Sequence, residues 1–370
     1  MFLIDRRYLR YFDWLSLALI ILLSCIGLLF VFSATYKPAQ PFSLFFKKQT
    51  FGIVSGFFIY FIFCFIDYRT LYRWGYFFYY ILLGILVVTL IKGSTAMGGQ
   101  RWINLFFFKF QPSELAKLLL PAYITYYCCS QKNFPHLTFN HFIPVLFTLF
   151  FSFILILKQP DLGTALILLI SGLILIWLAG ISHRFFIITA LIFCCTAPLS
   201  WKILKPYQKQ RIMVFLGQGE QHKERYQIEQ SKIAIGSGGV SGKGFLLGTQ
   251  NKLMFLPESR TDFIFSVIAE ELGFFGTMML LFLFSLLFFR IFYIIISIKN
   301  PSAQLLATGL TIHIILSTLI NIAMVIGLLP IVGIPLPLIS YGISHLWITF
   351  ASLGWFNGIA MRRFYINFSQ

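Results

Sequence analysis

A single aspartate stands where the longest polar segment of the chain runs into an apolar stretch. In the segment 255–265, Asp262 follows Arg260 and Thr261 and precedes three apolar residues. The whole chain has only 12 acidic residues, so a carboxylate at this boundary needs a reason. At the depth of a lipid head group, a partly buried aspartate would suit a general base. The competing interpretation is that Thr261 or Asp262 caps the next helix.

Two more ionisable residues, Glu114 and Lys117, lie about one turn into another apolar stretch. They are three positions apart, so they share one face of a helix. Ionisable residues inside membrane helices usually pair or face a polar cavity. The pair is therefore either an ion pair that tolerates burial or the lining of a substrate cavity. In the second case Lys117 meets a phosphate, and Glu114 holds Lys117 or a metal. Ser113 is predicted to cap this helix.

Asp161 follows Pro160 and opens a further apolar stretch. An aspartate at a helix N-terminus is favoured by the helix dipole. That structural role and a place in a shared polar cavity, together with Lys158, both stay open.

A glycine-rich segment, 236–244, contains Lys243 and resembles a phosphate-binding loop in composition. It departs from the Walker pattern, because Gly244 follows Gly-Lys and no glycine stands five positions before Gly242. Flexibility is the competing explanation for the glycines. The sequence also has no nucleophile elbow, no His-Glu-x-x-His and no ATP-binding motif. We therefore expect any reaction to draw on an activated substrate rather than on nucleotide hydrolysis.

The composition is that of a polytopic membrane protein. Of the 370 residues, 58% are hydrophobic and 11% charged, with a mean hydropathy of +0.84. A soluble domain carries about 25% charged residues. Windows of about 20 apolar residues predict about ten spans. They lie near 14–34, 49–66, 74–91, 113–129, 139–157, 162–180, 185–201, 265–297, 303–326 and 341–361.

This pattern predicts an all-α fold of about ten transmembrane helices in one domain, 1–370, with a large extracytoplasmic loop at about 202–261, between helices 7 and 8. Arginines flank the first and last spans, which favours cytoplasmic termini. The three polar interruptions then face one compartment. They gather seven charged residues on one face: Arg101, Lys109, Glu114, Lys117, Lys158, Asp161 and Asp262. The net charge of +17 fits either a general basic bias of the loops or an anionic ligand outside. Without a soluble module, we expect no nucleic-acid binding.

Five motifs, in order, resemble the SEDS (shape, elongation, division and sporulation) family, which includes RodA and FtsW. They are Gln-Arg-Trp-Ile at 100–103, Gln-Pro-Ser-Glu-Leu-Ala-Lys at 111–117, Gln-Pro-Asp-Leu-Gly-Thr at 159–164, the segment 256–273, and Pro-Leu-Pro-Leu-Ile-Ser-Tyr-Gly at 335–342. The glycine-rich segment is similar to the RodA branch. One departure is that Ile343 and His345 replace small residues after Ser-Tyr-Gly, which we expect to stiffen the helix start and narrow any cavity beside it.

The resemblance implies an inverting peptidoglycan glycosyltransferase that polymerises lipid II for cell elongation and rod shape. It implies that Asp262 acts as general base, or as ligand of a divalent cation such as Mg²⁺ or Mn²⁺. Phosphate contacts are expected from Arg101, Lys117 and Lys243. The other substrate-binding candidates are Glu114, Asp161 and Glu258.

The resemblance also implies a location and partners. The chain would lie in the bacterial cytoplasmic (inner) membrane, beside a class B penicillin-binding protein and other membrane proteins of the elongation complex.

Two other classes of function fit some of these residues. A transporter or flippase of a lipid-linked cell-wall precursor would also use buried charges, but it needs polar groups reachable from both faces. A structural scaffold would not need buried carboxylates.

Overall fold

The computed structural model describes most of the chain and divides it into eleven helices and three strands. The described residues are 10–96, 99–105, 108–131, 134, 137–189, 191, 209, 213, 223–253, 255–256 and 258–364. The helices are α1 (Trp14–Thr35), α2 (Leu44–Phe65), α3 (Tyr68–Lys92), α4 (Pro112–Ser130), α5 (Phe139–Lys158), α6 (Leu162–Leu178), α7 (Lys223–Gly238), α8 (Thr249–Lys252), α9 (Ile264–Ser297), α10 (Pro301–Val325) and α11 (Ile343–Arg362). The strands are β1 (Ser94–Ala96), β2 (Gly99–Leu105) and β3 (Phe108–Phe110).

Six of the described helices are long and apolar enough to cross a membrane: α1, α2, α3, α5, α9 and α10. Helix α6 is apolar but has only 17 residues. Helices α4 and α11 fall outside this set and carry polar residues on buried faces. Most of the seventh predicted span, 185–201, lies outside the described residues. The membrane-spanning character of the chain is therefore confirmed, whereas the count of ten stays a prediction.

Helix α11 lies at the centre of the bundle, with nearly every residue from Ser344 to Met361 buried. It packs closely on α2, because glycines remove the side chains that would separate the two backbones. A Cβ at Gly354 would lie 2.2 Å from the carbonyl oxygen of Tyr60, and one at Gly358 would lie 2.7 Å from that of Cys64. Small residues four positions apart are typical of close helix contacts in membranes.

The helices form two hydrophobic cores. One is formed mainly by α1, α2, α9, α10 and α11, and the other by α3, α4, α5 and α6. Helix α4 contributes to both, since Leu118 and Ala122 belong to the first core and Ala116 and Leu120 to the second. The charged residues at the start of α4 therefore lie between the two halves of the protein.

The polar interruption before α4 differs from the all-α expectation. Strands β1, β2 and β3 form a three-stranded antiparallel sheet in that order, with Ile103 opposite Phe110. Backbone groups between two helices need hydrogen-bond partners, and strand pairing supplies them. The sheet carries Arg101 on its central strand.

The expected long loop is helical in part, since it contains α7 and α8. Its glycine-rich turn packs against a break in α9 at Gly273, where φ is +65°. The amides of Lys243 and Gly244 donate to the carbonyls of Glu270 and Glu271, at 3.0 Å each. The amides of residues 274 and 275 donate to the carbonyls of residues 239 and 240. Close packing explains two of these glycines, because a Cβ at 238 or 242 would collide with the α9 backbone.

We expect Gly354→Ala to lower the free energy of unfolding by about 1–3 kcal/mol, because the added methyl group overpacks the contact between α11 and α2. Thermal unfolding of the detergent-purified protein measures this. The control is Gly84→Ala on α3, where a Cβ meets nothing within 4 Å. The control should be neutral or stabilise by up to about 1 kcal/mol. Equal melting temperatures for the two variants would contradict the close contact.

Candidate functional site

Asp262 lies in a turn immediately before α9 and is half-buried. Asn321 of α10 stabilises this turn. The side-chain amide of Asn321 donates to the carbonyl of Asp262 at 2.8 Å and to that of Ile334 at 2.7 Å. Gly333 lies beside the carboxylate, since a Cβ at that position would be 3.6 Å from Asp262 Oδ2. The backbone of Asp262 is thus fixed by a buried amide.

Glu258 shapes the turn that carries Asp262. Its φ of +58° is in the left-handed region, which non-glycine residues adopt at a cost. Its carbonyl accepts from the amides of Thr261 (3.1 Å) and Phe263 (3.4 Å), and its carboxylate accepts from Thr261 Oγ1 at 3.1 Å. Phe263 is the N-cap of α9, without a side-chain cap in the described structure. The alternative that Thr261 or Asp262 caps the helix is therefore wrong.

Residues Ser340 and Tyr341 hold the other side of this turn. Ser340 Oγ donates to the carbonyl of Thr261 at 2.6 Å, and the amide of Tyr341 donates to the carbonyl of Arg260 at 2.9 Å. The guanidinium of Arg260 lies 3.9 Å from the ring centre of Phe45, a cation–π contact. The turn is therefore joined to the segment that leads into α11.

Glu114 and Lys117 form a buried ion pair on α4, with 2.7 Å between Nζ and Oε1. The second carboxylate oxygen, Oε2, lies 3.2 Å from Nδ1 of His345 on α11. The predicted pairing of Glu114 with Lys117 is present, as both the ion-pair and the cavity interpretations require. Lys117 Nζ has almost no contact with solvent in this arrangement, since the side chain is 2% exposed. The predicted cap Ser113 is wrong, because the N-cap of α4 is Gln111.

Asp161 has a structural role and a place in this polar cluster at once. It caps α6, accepting from the amide of Thr164 at 3.2 Å. Its other oxygen accepts from Gln111 Nε2 at 2.5 Å and lies 3.4 Å from Ser113 Oγ. Arg101 Nη1 lies 3.6 Å from the carboxylate. The buried negative charge is thus balanced by a partly exposed cation from the sheet.

The start of α11 joins the two groups of residues. Ser344 Oγ accepts from the amide of Gln111 at 3.4 Å, next to the contact between His345 and Glu114. Only three residues earlier in the chain, Tyr341 holds the turn of Asp262. A second connection runs through Gly163, where a Cβ would lie 2.7 Å from the carbonyl of Val332, one residue before Gly333. The expectation that these interruptions meet on one face agrees with this arrangement.

Lys243 has its own carboxylate partner. Its Nζ lies 2.6 Å from Glu270 Oε1 and 2.8 Å from Thr249 Oγ1. Glu270 Oε1 also accepts from the amides of Thr249 (2.7 Å) and Gln250 (3.1 Å). Lys243 therefore helps to hold the glycine-rich turn on α9.

Several polar residues that organise the site were not singled out from the sequence. Gln49 of α2 donates to the carbonyl of Ser340 at 3.1 Å, and its side-chain oxygen lies 3.4 Å from the amide nitrogen of Gly342. Asn321 and His345 have the contacts given above. A signal was present for Gln49 and Asn321, because an uncharged polar residue inside an apolar span has to find a partner. His345 was noticed only as a departure from the family pattern.

The described residues contain no cluster of three or more His, Cys, Asp or Glu side chains that would form a protein-only metal site. A Mg²⁺ ion needs fewer protein ligands, since it is commonly held by one or two carboxylates together with substrate phosphates. Asp262 fits the second kind of site, because its carboxylate stands at a half-buried turn.

Comparison with known proteins agrees with this arrangement. The family described as cell cycle protein, which takes in FtsW, RodA and SpoVE, matches residues 13–364. The peptidoglycan glycosyltransferase MrdB of Escherichia coli K12 is 40% identical over 283 residues, 76% of each chain. A chain of a peptidoglycan synthase complex that coordinates polymerization and crosslinking has a TM-score of 0.80 at 26% identity, covering 95% of this chain and 98% of its own. The rod shape determining protein RodA of Thermus thermophilus has a TM-score of 0.72 at 25% identity, covering 96% and 98%.

The family match spans nearly the whole described chain. The apolar helices indicate that the chain is a multi-pass membrane protein. The resemblance carried by the five sequence motifs is confirmed, including its likeness to RodA. This chain therefore belongs to the SEDS family of FtsW, RodA and SpoVE proteins.

Proposed function

We propose that the protein is a peptidoglycan glycosyltransferase that polymerises lipid II into glycan strands for cell elongation. The observation that carries the proposal is the turn of Asp262. This turn is held by α10 and by the segment entering α11. The start of α11 also contacts Glu114 and the amide of Gln111, whose side chain donates to Asp161. Relatives named as peptidoglycan glycosyltransferases support the same conclusion.

The chemistry requires one base and a good leaving group. The 4-hydroxyl of a second disaccharide attacks the donor sugar. Undecaprenyl pyrophosphate departs as the leaving group, and the configuration at the donor sugar is inverted. Inversion by one direct attack does not need the closely spaced carboxylate pair of a retaining glycosidase. Asp262 takes the hydroxyl proton, and the bonded turn keeps its carboxylate in place while it does so.

Cationic side chains neutralise the departing pyrophosphate. Arg101 is the first candidate, because its side chain is partly exposed and its Nε has no hydrogen-bond partner among the described residues. Lys117 is buried and paired with Glu114, so a phosphate contacts it only if the helices around this pair move apart. Lys243 is held by Glu270 and comes last. Glu114, Asp161 and Glu258 organise the site through the contacts described above.

The alternative role of Asp262 is to hold a divalent cation, Mg²⁺ or Mn²⁺. Bound by Asp262 and substrate phosphates, such an ion would supply positive charge for the leaving pyrophosphate. In either role the bonded turn keeps the Asp262 carboxylate in place, and Arg101 orients the phosphates.

We propose that the site lies on the outer face of the bacterial cytoplasmic membrane. In this topology the chain has ten spans, and both termini are in the cytoplasm. The arginines that flank the first and last spans support this topology. The proposed partners are a class B penicillin-binding protein, which crosslinks the new strands, and other membrane proteins of the elongation complex. The likeness to a chain of a synthase complex supports such a partner.

A transporter of the same lipid-linked precursor is the second candidate. Its support is the buried Glu114–Lys117 pair at the junction of the two cores. A transporter needs polar groups reachable from both faces. The polymerase is favoured because the predicted topology gathers Arg101, Asp161 and Asp262 on one face.

We expect Asp262→Ala to lower the polymerisation rate by about 100-fold or more, the range lost with a general base. The measurement is glycan polymer formed from labelled lipid II by the purified protein with its transpeptidase partner. The matched control is Glu229→Gln, which neutralises an exposed carboxylate on α7 that pairs with Arg225. The control should keep the wild-type rate. Near-normal polymer from Asp262→Ala, with an unchanged melting temperature, would refute the base assignment.

Arg101→Ala should raise KM for lipid II about tenfold or more, because a charge-assisted contact to phosphate is lost. Arg101→Lys should keep part of that affinity, since it retains the charge without the planar guanidinium. Initial rates over a lipid II concentration series separate KM from kcat. An unchanged KM in Arg101→Ala would remove Arg101 from the substrate contacts.

Removal of divalent cations should suppress polymerisation, and Mg²⁺ or Mn²⁺ should restore it. The reason is that the leaving pyrophosphate carries charge that one arginine does not neutralise. The assay compares EDTA-treated enzyme with the same sample after each ion is added back. Full activity in EDTA would show that the protein alone supplies the positive charge.

A further inference from the structure

His345 lies in the first turn of α11 and is buried, with 6% of its surface exposed. It contacts Glu114 from the side opposite Lys117. Lys117 Nζ is 2.7 Å from Oε1 of the carboxylate, and His345 Nδ1 is 3.2 Å from Oε2. Each oxygen of Glu114 therefore has its own donor, one from α4 and one from α11.

We propose that His345 is a positioning residue for polymerisation, a role that rests on the proposed function. It ties the start of α11 to the start of α4 through Glu114. In doing so it sets how the turn of Asp262 stands relative to Asp161 and Arg101.

The path between these residues is short and continuous. Tyr341 and Ser340 bond the turn of Asp262 through the carbonyls of Arg260 and Thr261. The chain then enters α11, where His345 meets Glu114 on α4. Three residues before Glu114, the side chain of Gln111 donates to Asp161. A shift of the α11 start relative to α4 would therefore change the spacing between the proposed base and the phosphate-binding side.

The contact has a defined chemical form. A carboxylate oxygen only accepts, so the hydrogen must be on Nδ1 of His345. If the imidazole is neutral, the buried group of Glu114, Lys117 and His345 has no net charge. A buried carboxylate that lost one donor would keep an unsatisfied oxygen in a low-dielectric interior, so the neighbouring helices would have to rearrange.

A second buried histidine supplies a matched control. His313 on α10 is 2% exposed and interacts electrostatically with Glu114, Lys117 and His345. Both donors to the Glu114 carboxylate come from Lys117 and His345 among the described residues, so leucine at 313 removes a buried imidazole near the carboxylate without removing one of these donors. The same replacement at His345 removes a donor from Glu114.

The test measures polymerisation of labelled lipid II by full-length protein with its transpeptidase partner. The variants are His345→Leu, His345→Asn, His313→Leu, Glu114→Gln and the double variant Glu114→Gln with His345→Leu. Asparagine places an amide donor near the position of Nδ1, so it is the conservative replacement. Melting temperatures of all purified variants show whether each one is folded.

We expect His345→Leu to be at least tenfold slower than wild type, and His345→Asn and His313→Leu to stay within about twofold. The double variant should be no slower than Glu114→Gln alone by more than about twofold, because the two residues act through one contact.

Three results would overturn the inference. They are a His345→Leu variant as fast as wild type, equal losses for leucine at 345 and 313, or an asparagine variant as slow as leucine. A wild-type protein that forms no polymer would instead refute the proposed function, and the positioning role with it.

Discussion

A carboxylate buried inside a helical bundle has to be met by donors from other parts of the chain, and this requirement organises the protein. Glu114 receives Lys117 from its own helix and His345 from another. Asp161 receives a backbone amide, a glutamine and an arginine from the sheet. Each donor set spans two or three elements. Satisfying the charges therefore also fixes how the helices stand relative to one another.

The same requirement applies to backbone groups wherever a helix is broken or has not begun. At Gly273 the interruption of α9 frees carbonyls and amides, and the glycine-rich turn supplies partners for them. At the turn of Asp262 the carbonyls of residues 260, 261 and 262 accept hydrogen bonds from Tyr341, Ser340 and Asn321, respectively. Irregular backbone at membrane depth is tolerated only where it is buried in protein or lines a cavity. The irregular segments of this chain that lie near the candidate base follow that rule.

Much of the site was predictable from residue type and spacing. Glu114 and Lys117 are three apart on a helix, so their pairing followed from helix geometry alone. Asp161 after Pro160 was expected at a helix start and is found there as a cap. Other local predictions failed because tertiary contacts decided the outcome. Ser113 turns to Asp161 instead of capping its helix, and the glycines at 238 and 242 serve close backbone packing. A short sheet lies before α4 in a chain that was expected to be all-α.

The sequence by itself determined that the chain spans a membrane, that three polar interruptions carry Glu114, Asp161 and Asp262, and which family it resembles. Each of these depends on composition or on the order of short motifs. Only the tertiary structure decided that His345 meets Glu114, that Asn321 and Ser340 hold the turn of Asp262, and that Lys243 holds a glutamate of α9. Every one of these contacts joins residues from different elements of the chain. Local periodicity carries no information about such pairs, since the packing of whole helices brings them together.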